Sequence, residues 1–146
     1  MPLIAATDHQ KNIAAFARCS LSLAAVSGQV CLSFTESALY VLATNAAKTS
    51  NGEVCFNSRF FRDYVFDKSA LSADGYNESS GNYSFVVTAK LIVMLFRGLD
   101  ASAVNYIHLG VECGESVPDV RRYKLNVEVY TKKQVLKKYQ IGYQPV

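Results

Sequence analysis

Long apolar runs are missing from this chain: the longest is Leu91–Phe96, against about 20 residues for a helix that crosses a bilayer. A membrane span is therefore not expected. The opening MPLIAATDHQ has no basic n-region and no long apolar h-region, so no secretory leader is expected and a cytosolic or nuclear protein is the default. Close cysteine pairs are also missing. Cys19, Cys31, Cys55 and Cys113 lie far apart with no CxxC, which removes the usual ligand spacing of a zinc site. Without secretion these thiols read as small buried hydrophobes rather than a disulfide framework. The sequons at Asn77 and Asn82 then carry no meaning.

Catalytic chemistry is equally sparse. The chain has two histidines, His9 and His108. No serine or cysteine sits in an elbow motif, and no glycine-rich loop follows a strand to hold phosphate. The acids are scattered through turns, where Asp serves the backbone. With no convergent titratable set, no catalytic residue, metal or cofactor is expected. A small Cys- or His-dependent hydrolase survives only as a possibility in which such partners meet in space.

What is present is enough for one folded domain. The chain has 146 residues, 50% of them apolar, and a formal net charge of +3, which excludes disorder as its main state. At this size roughly 68–70% of the unfolded surface can be buried. The charge is unevenly spread. From Arg121 onward there are seven Lys or Arg and one acid, Glu128, whereas the part before it has eight basic and eleven acidic residues. A basic end of this kind suits phosphate or an acidic partner as well as plain solvation.

Leu3–Ala6 reads as a short strand. Thr7 and Gln10 form a capping box, with Asp8 at the positive end of the helix dipole. The predicted helix runs to about Leu23, with Ile13, Phe16, Ala17, Ser20, Leu21 and Ala24 on one face. Lys11, Ala14, Ala15, Arg18 and Ser22 lie opposite. Strands are expected at Gln29–Phe34, Ala38–Thr44 and Glu53–Asn57, with Asn51-Gly52 as a hairpin turn before the last. Ser58–Phe66 is dense in aromatics, and Asp67–Asn82 reads as an exposed loop. Tyr83–Val87 is a further strand. Thr88 caps a second helix that stops at Gly98, with Lys90, Val93 and Arg97 on its less apolar face.

Two alternating strands follow. Ile107, Leu109 and Val111 face inward in one, and Leu125, Val127 and Val129 in the other, joined through Gly114–Pro118. A last extended segment, Thr131–Ile141, carries four lysines, which commonly protect a free sheet edge. Runs of strands interrupted by two helices specify an α+β fold, an antiparallel sheet with both helices packed on one face.

The helices carry four of the eight early cations. Lys11 and Arg18 are seven residues apart, as are Lys90 and Arg97, so each pair shares a helix face. Side by side, the helices would present a basic strip suited to sequence-independent DNA phosphate contact. An ordinary solvated helix surface is the competing reading.

Three segments extend this reading: VCFNSRFFRDYVF at Val54–Phe66, with Phe60, Phe61 and Tyr64 as FFxxY; TAKLIVMLFRGL at Thr88–Leu99; and YKLNVEVYTKKQVLKKYQIGYQPV at Tyr123–Val146. With the order of elements, they resemble one domain of a PCNA-like sliding clamp. More specifically, they resemble the amino-terminal domain of the Rad-nine or Ddc-one subunits of the nine-one-one DNA-damage checkpoint clamp. The resemblance implies a non-enzymatic scaffold in the nucleus. Two other PCNA-like subunits would complete a heterotrimeric ring, and a clamp loader would place it so that it encircles double-stranded DNA. The ring would then recruit checkpoint kinase activators and repair proteins.

On that resemblance Lys11, Arg18, Lys90 and Arg97 would face the bore. Thr131–Ile141 would pair edges between subunits, with Lys133, Val135, Lys137 and Tyr139 at the joint. Residues 1–141 would be a single clamp domain and 142–146 the start of an interdomain connector. Clamp subunits carry two such domains and the checkpoint subunit a phosphorylated tail, so the resemblance covers one domain of a longer architecture. A different class of function is an α+β protein-interaction module without DNA binding, using the aromatic SRFFRDYVF segment as its contact surface. Burial of Phe60 and Phe61 would count against it.

Overall fold

The computed structural model describes residues 2–44, 51–71, 76–117 and 120–143, the side chains of 44, 113–117 and 120–122 excepted. In chain order the elements are β1 (Leu3–Thr7), α1 (Gln10–Ala24), β2 (Gln29–Thr35), β3 (Ala38–Thr44), β4 (Asn51–Asn57), β5 (Asp63–Phe66), a single helical turn α2 (Lys68–Leu71), β6 (Asn82–Thr88), α3 (Ala89–Phe96), β7 (Val104–Val117), β8 (Val120–Thr131) and β9 (Leu136–Gly142). Short 3-10 turns at Ser58–Phe60 and Ala101–Ala103 precede β5 and β7.

The α+β class with antiparallel pairing is the one the sequence specifies. Its strands divide between two sheets, ordered β5-β1-β7-β8-β9 and β4-β3-β2-β6. Alternation explains both. Leu3 and Ala5 of β1, Ile107, Leu109 and Val111 of β7, and Leu125, Val127 and Val129 of β8 are buried. So are Val30, Leu32 and Phe34 of β2, Leu39 and Val41 of β3, and Tyr83, Phe85 and Val87 of β6.

Helix α1 packs against β2, β3 and β4 of one sheet and β7 of the other, so it covers the seam between them. Its buried side chains are Ile13, Phe16, Ala17, Ser20 and Leu23. Phe16 is the hub: its ring centroid lies 5.0 Å from Phe56, 5.6 Å from Phe96 and 6.3 Å from Phe61. The Phe96 contact sets α3 beside α1, as expected for paired helices. Asn12 Nδ2 donates to the Phe60 carbonyl at 2.9 Å, fixing the aromatic segment under the helix. Gly52 allows the closest approach: an added Cβ would come within 2.6 Å of Leu23 Cδ2.

Two tyrosines tie the sheets together. Tyr64 Oη lies 2.5 Å from the Thr35 carbonyl and 2.7 Å from that of Ala38, so its one proton is shared between them. This fastens β5 to the β2–β3 turn. Burial pushes the Tyr64 phenol far above its usual range. Tyr143 stacks on Phe85 at 4.0 Å, and its hydroxyl lies 2.7 Å from that of Tyr83. The packed core thus reaches Tyr143; residues 144–146 of the expected connector lie outside the described residues.

Several local expectations are corrected. Thr7 is not a helix cap. It is the last residue of β1, paired with Ile107 and 3% exposed, and that pairing keeps its backbone extended. His9 occupies the N-cap without a side-chain hydrogen bond, and Gln10 opens the helix. Asp8 pairs with Arg62 at 2.8 Å. Asn51 and Gly52 are not a turn; they continue the ladder opposite Thr44 and Ala43, and residues 45–50 lie outside the described residues.

Gly114–Val117 likewise belong to β7, whose ladder with β8 runs on to Val117 and Val120, leaving 118–119 outside. The loop expected at Asp67–Asn82 contains the α2 turn, with 72–75 outside. Thr131–Ile141 is not one extended run. A turn at Thr131–Val135, closed by the Thr131 amide on the Val135 carbonyl at 2.9 Å and with Gln134 at φ 64°, precedes β9.

Candidate nucleic-acid interface

On α1 the residues that seek the core occupy one stripe and leave Lys11 and Arg18 exposed on the other. Short Ala14 and Ala15 lie between them, so no bulky side chain stands over the cations. Over seven residues the helix rises about 10.5 Å, nearly two turns. Helix α3 repeats the plan in part. Ala89, Ile92, Leu95 and Phe96 are buried and Lys90 is exposed. Arg97, also exposed, is not on the helix but follows it with an extended backbone. Helix α3 thus ends at Phe96, short of the expected Gly98, and the seven-residue spacing does not set Arg97 on one helix face with Lys90. Val93 is half-buried, and Met94, 53% exposed, takes the outer position between the two cations.

The α1–α3 contact brings Lys11, Arg18 and Lys90 onto one layer, with Arg97 directly after it. Neither helix contains an acidic residue. None of Lys11, Arg18, Lys90 and Arg97 forms an ion pair with a described residue. Four exposed cations on and beside this helical layer can contact phosphates without reading bases.

An open groove of about 780 Å³ runs along α1 beside the segment after α3, with Lys11, Arg18, Leu21, Phe96, Leu99 and Asp100 among its walls. Gly98, at φ 76°, makes the sharp exit from α3 that opens it. His9 and Gln10 line its end; the helix-face pattern passed over them because they precede the periodic run. Asp100 was missed as well. Its carboxylate accepts from the Ser102 amide at 3.0 Å and the Ser102 hydroxyl at 2.6 Å. These bonds hold its carboxyl below the usual range, with Lys132 adding to the effect. The Asp-x-Ser spacing is the sequence signal for such a turn. The groove is therefore basic with one acid on its rim.

The residues expected at a subunit joint fall on and beside a free edge. Among the described residues β9 is the end strand of its sheet, bonded to β8 alone. Lys137 and Tyr139 lie on β9, whereas Lys133 and Val135 lie in the turn before it. Tyr139 is half-buried opposite Val127; the other three are exposed. Lys138 is 4.0 Å from Glu128 on the neighbouring strand. Val135 and Leu136 are 49% and 41% exposed.

The remaining candidate groups do not converge. His108 is on the outer face of β7 opposite Glu128, and its Nδ1 has no hydrogen-bond partner among the described residues. Cys19 is on α1, Cys31 on β2 and Cys55 on β4, all free thiols. Cys55 is exposed rather than buried, because it projects from the outer face of β4 opposite Tyr40. The side-chain hydrogen bond between the two, which favours the protonated hydroxyl, raises the Tyr40 phenol. Cys31 is half-buried, and burial raises its thiol. No hydrogen bond among the described residues joins a cysteine to either histidine. The FFxxY segment is structural: Phe61 is 6% exposed and stacked on Tyr64 at 5.6 Å, while Phe60 is half-buried. A contact surface built on these rings does not fit. Among the described residues no helix is long and apolar enough to cross a membrane.

No curated protein matches the chain. A family model described as Rad9 matches residues 16–145, from Phe16 through the aromatic segment, α3 and β9. The chain belongs to the Rad9 family, a family of DNA-damage checkpoint clamp scaffolds.

Proposed function

We propose that this chain is the amino-terminal clamp domain of a checkpoint ring subunit. Its α1–α3 layer faces the bore, and Lys11, Arg18, Lys90 and Arg97 touch the phosphates of encircled duplex DNA. The observation that carries this reading is the exposure of four cations, three on two adjacent helices that hold no acid and Arg97 directly after α3, none with an ion-pair partner among the described residues. A closed ring holds DNA by topology, so each contact can be weak and still let the ring slide; phosphate neutralisation meets that need. In this reading β9 joins one of two other PCNA-like subunits by strand addition, with Lys133, Val135, Lys137 and Tyr139 at the joint. A clamp loader places the ring in the nucleus, and the ring recruits checkpoint kinase activators and repair proteins. Because β9 runs to Gly142 and Tyr143 is packed in the core, the domain extends through Tyr143, two residues past the expected boundary at 141, and the connector to the second begins after it.

The test is the double reversal Lys90→Glu with Arg97→Glu in the assembled clamp. Folding and ring assembly are expected to be unchanged, while retention on nicked circular DNA falls at moderate salt. Unchanged loading and retention would reject the bore assignment.

A further inference from the structure

The free edge of β9 has an ordered pattern of its own. Val135 and Leu136 form an exposed apolar pair at its start, and Lys137 and Lys138 follow directly. Opposite residues of an antiparallel pair share a face, so the ladder with β8 fixes where each cation stands. Lys137 is opposite Val129, which is buried, and Lys138 is opposite Glu128 on the outer face. The two cations therefore flank the edge from both sides of the sheet. Lys138 has a distant carboxylate at 4.0 Å; Lys137 has no ion-pair partner among the described residues.

An incoming strand would lay its main chain along β9 and put successive side chains on alternate faces. To answer both cations it needs carboxylates at two successive positions, not at alternate ones. Resting on the reading of β9 as a subunit edge, we propose that the strand docking there belongs to a second clamp subunit. That strand carries an acidic pair flanked, on the side that meets Val135 and Leu136, by an apolar pair. Edge lysines that only discourage pairing do not account for two neighbouring exposed apolar side chains at the same edge. A second copy of this chain does not supply the match. Of the end strands of the two sheets, β5 (DYVF) holds Asp63 as its only carboxylate and β4 (NGEVCFN) Glu53 as its only one, while β6 and β9 hold none, so none offers two successive carboxylates.

The probes are capped strand peptides of β9's own length, holding an apolar pair next to a Glu pair, a Gln pair or a Lys pair, each made in both sequence directions. They are titrated into the isotope-labelled chain and followed by amide shifts. The Glu peptide in one direction is expected to shift the β9 amides saturably and to bind about tenfold more tightly than its Lys counterpart. The variant Lys137→Glu with Lys138→Glu, its fold checked by its own amide spectrum, is expected to reverse that order. Milder Lys137→Gln is expected to weaken the Glu peptide alone. Equal binding of all three peptides at β9 overturns the acidic-partner inference and keeps the edge reading. Absence of any β9 shift overturns the edge reading itself, and self-association through β9 in sedimentation replaces the second subunit with a second copy.

Discussion

On the helix layer the cations stand alone. Lys11, Arg18, Lys90 and Arg97 have no ion-pair partner among the described residues, and alanines separate the two on α1. At the β9 edge the cations have company: Lys138 lies near Glu128, and Val135 and Leu136 are exposed beside them. Both surfaces are basic, yet their physics differs. Charges spread over a helical face, with Met94 exposed among them but no open row of main-chain groups, give interactions that are weak, salt-sensitive and indifferent to register. Charges set beside apolar side chains and a row of open main-chain groups give interactions that depend on register. The first suits a surface that slides and the second a surface that stays.

Both surfaces stand on one core, so the largest effect comes from removing its hub. Phe16→Ala is expected to cost about 3–5 kcal/mol and to loosen α1 from α3 and the aromatic segment together. Urea unfolding checks it. A loss under about 1 kcal/mol would mean that the helix layer is held by something other than these rings.

A smaller loss is expected from Tyr64→Phe, which unties β5 from the β2–β3 turn. Removing that hydroxyl should cost about 1–3 kcal/mol while leaving both basic surfaces intact. The same phenol predicts an alkaline signature. Its folded proton affinity is raised above the ordinary value of 10.0. Its contribution is therefore fully present below that value and is lost as the pH rises above it, because the unfolded chain ionises first. The alkaline fall in stability should be shallower in Tyr64→Phe. Parallel pH-stability curves would contradict the assignment.

The surfaces themselves should be separable from stability. Lys90→Glu with Arg97→Glu is expected to change unfolding free energy by no more than about 0.5 kcal/mol, since both side chains are exposed and have no ion-pair partner among the described residues. A larger loss would show that these residues support the fold rather than a ligand. The smallest effect is expected from Asp100→Asn, which removes the one acid on the groove rim. It should tighten binding of the assembled ring to DNA by about twofold at low salt and less at high salt. No change would place Asp100 away from the phosphates.

Much of this was legible in the sequence. Alternation at Ile107–Val111 and Leu125–Val129 marked the strands with their inward faces, because a half-buried strand must repeat every second residue. Seven-residue spacing marked the exposed face of α1, whereas on α3 it reached Lys90 and overran the end of the helix at Arg97. Three of the errors share one cause: local signals lost to strand pairing. Thr7 has a capping hydroxyl, Asn51-Gly52 a turn signature and Gly114 a breaker's freedom, yet each lies in a ladder that a partner strand extends. The division into two sheets was also hidden, since strand order depends on residues far apart in sequence. At the candidate site the cations were readable from spacing, whereas Asp100 and His9 reached the groove only through the sharp exit from α3 and the entry to α1.

The bore assignment rests on phosphate neutralisation, which has its own signature in salt. The most direct measurement is the slope of log binding constant against log salt for the assembled ring on duplex DNA, as Lys11, Arg18, Lys90 and Arg97 are changed to glutamine one after another. The slope is expected to become shallower by about 0.9 for each phosphate left without its cation, with the fold and the β9 joint unchanged. A slope that stays the same through all four substitutions would contradict the assignment and return the helix layer to an ordinary solvated surface.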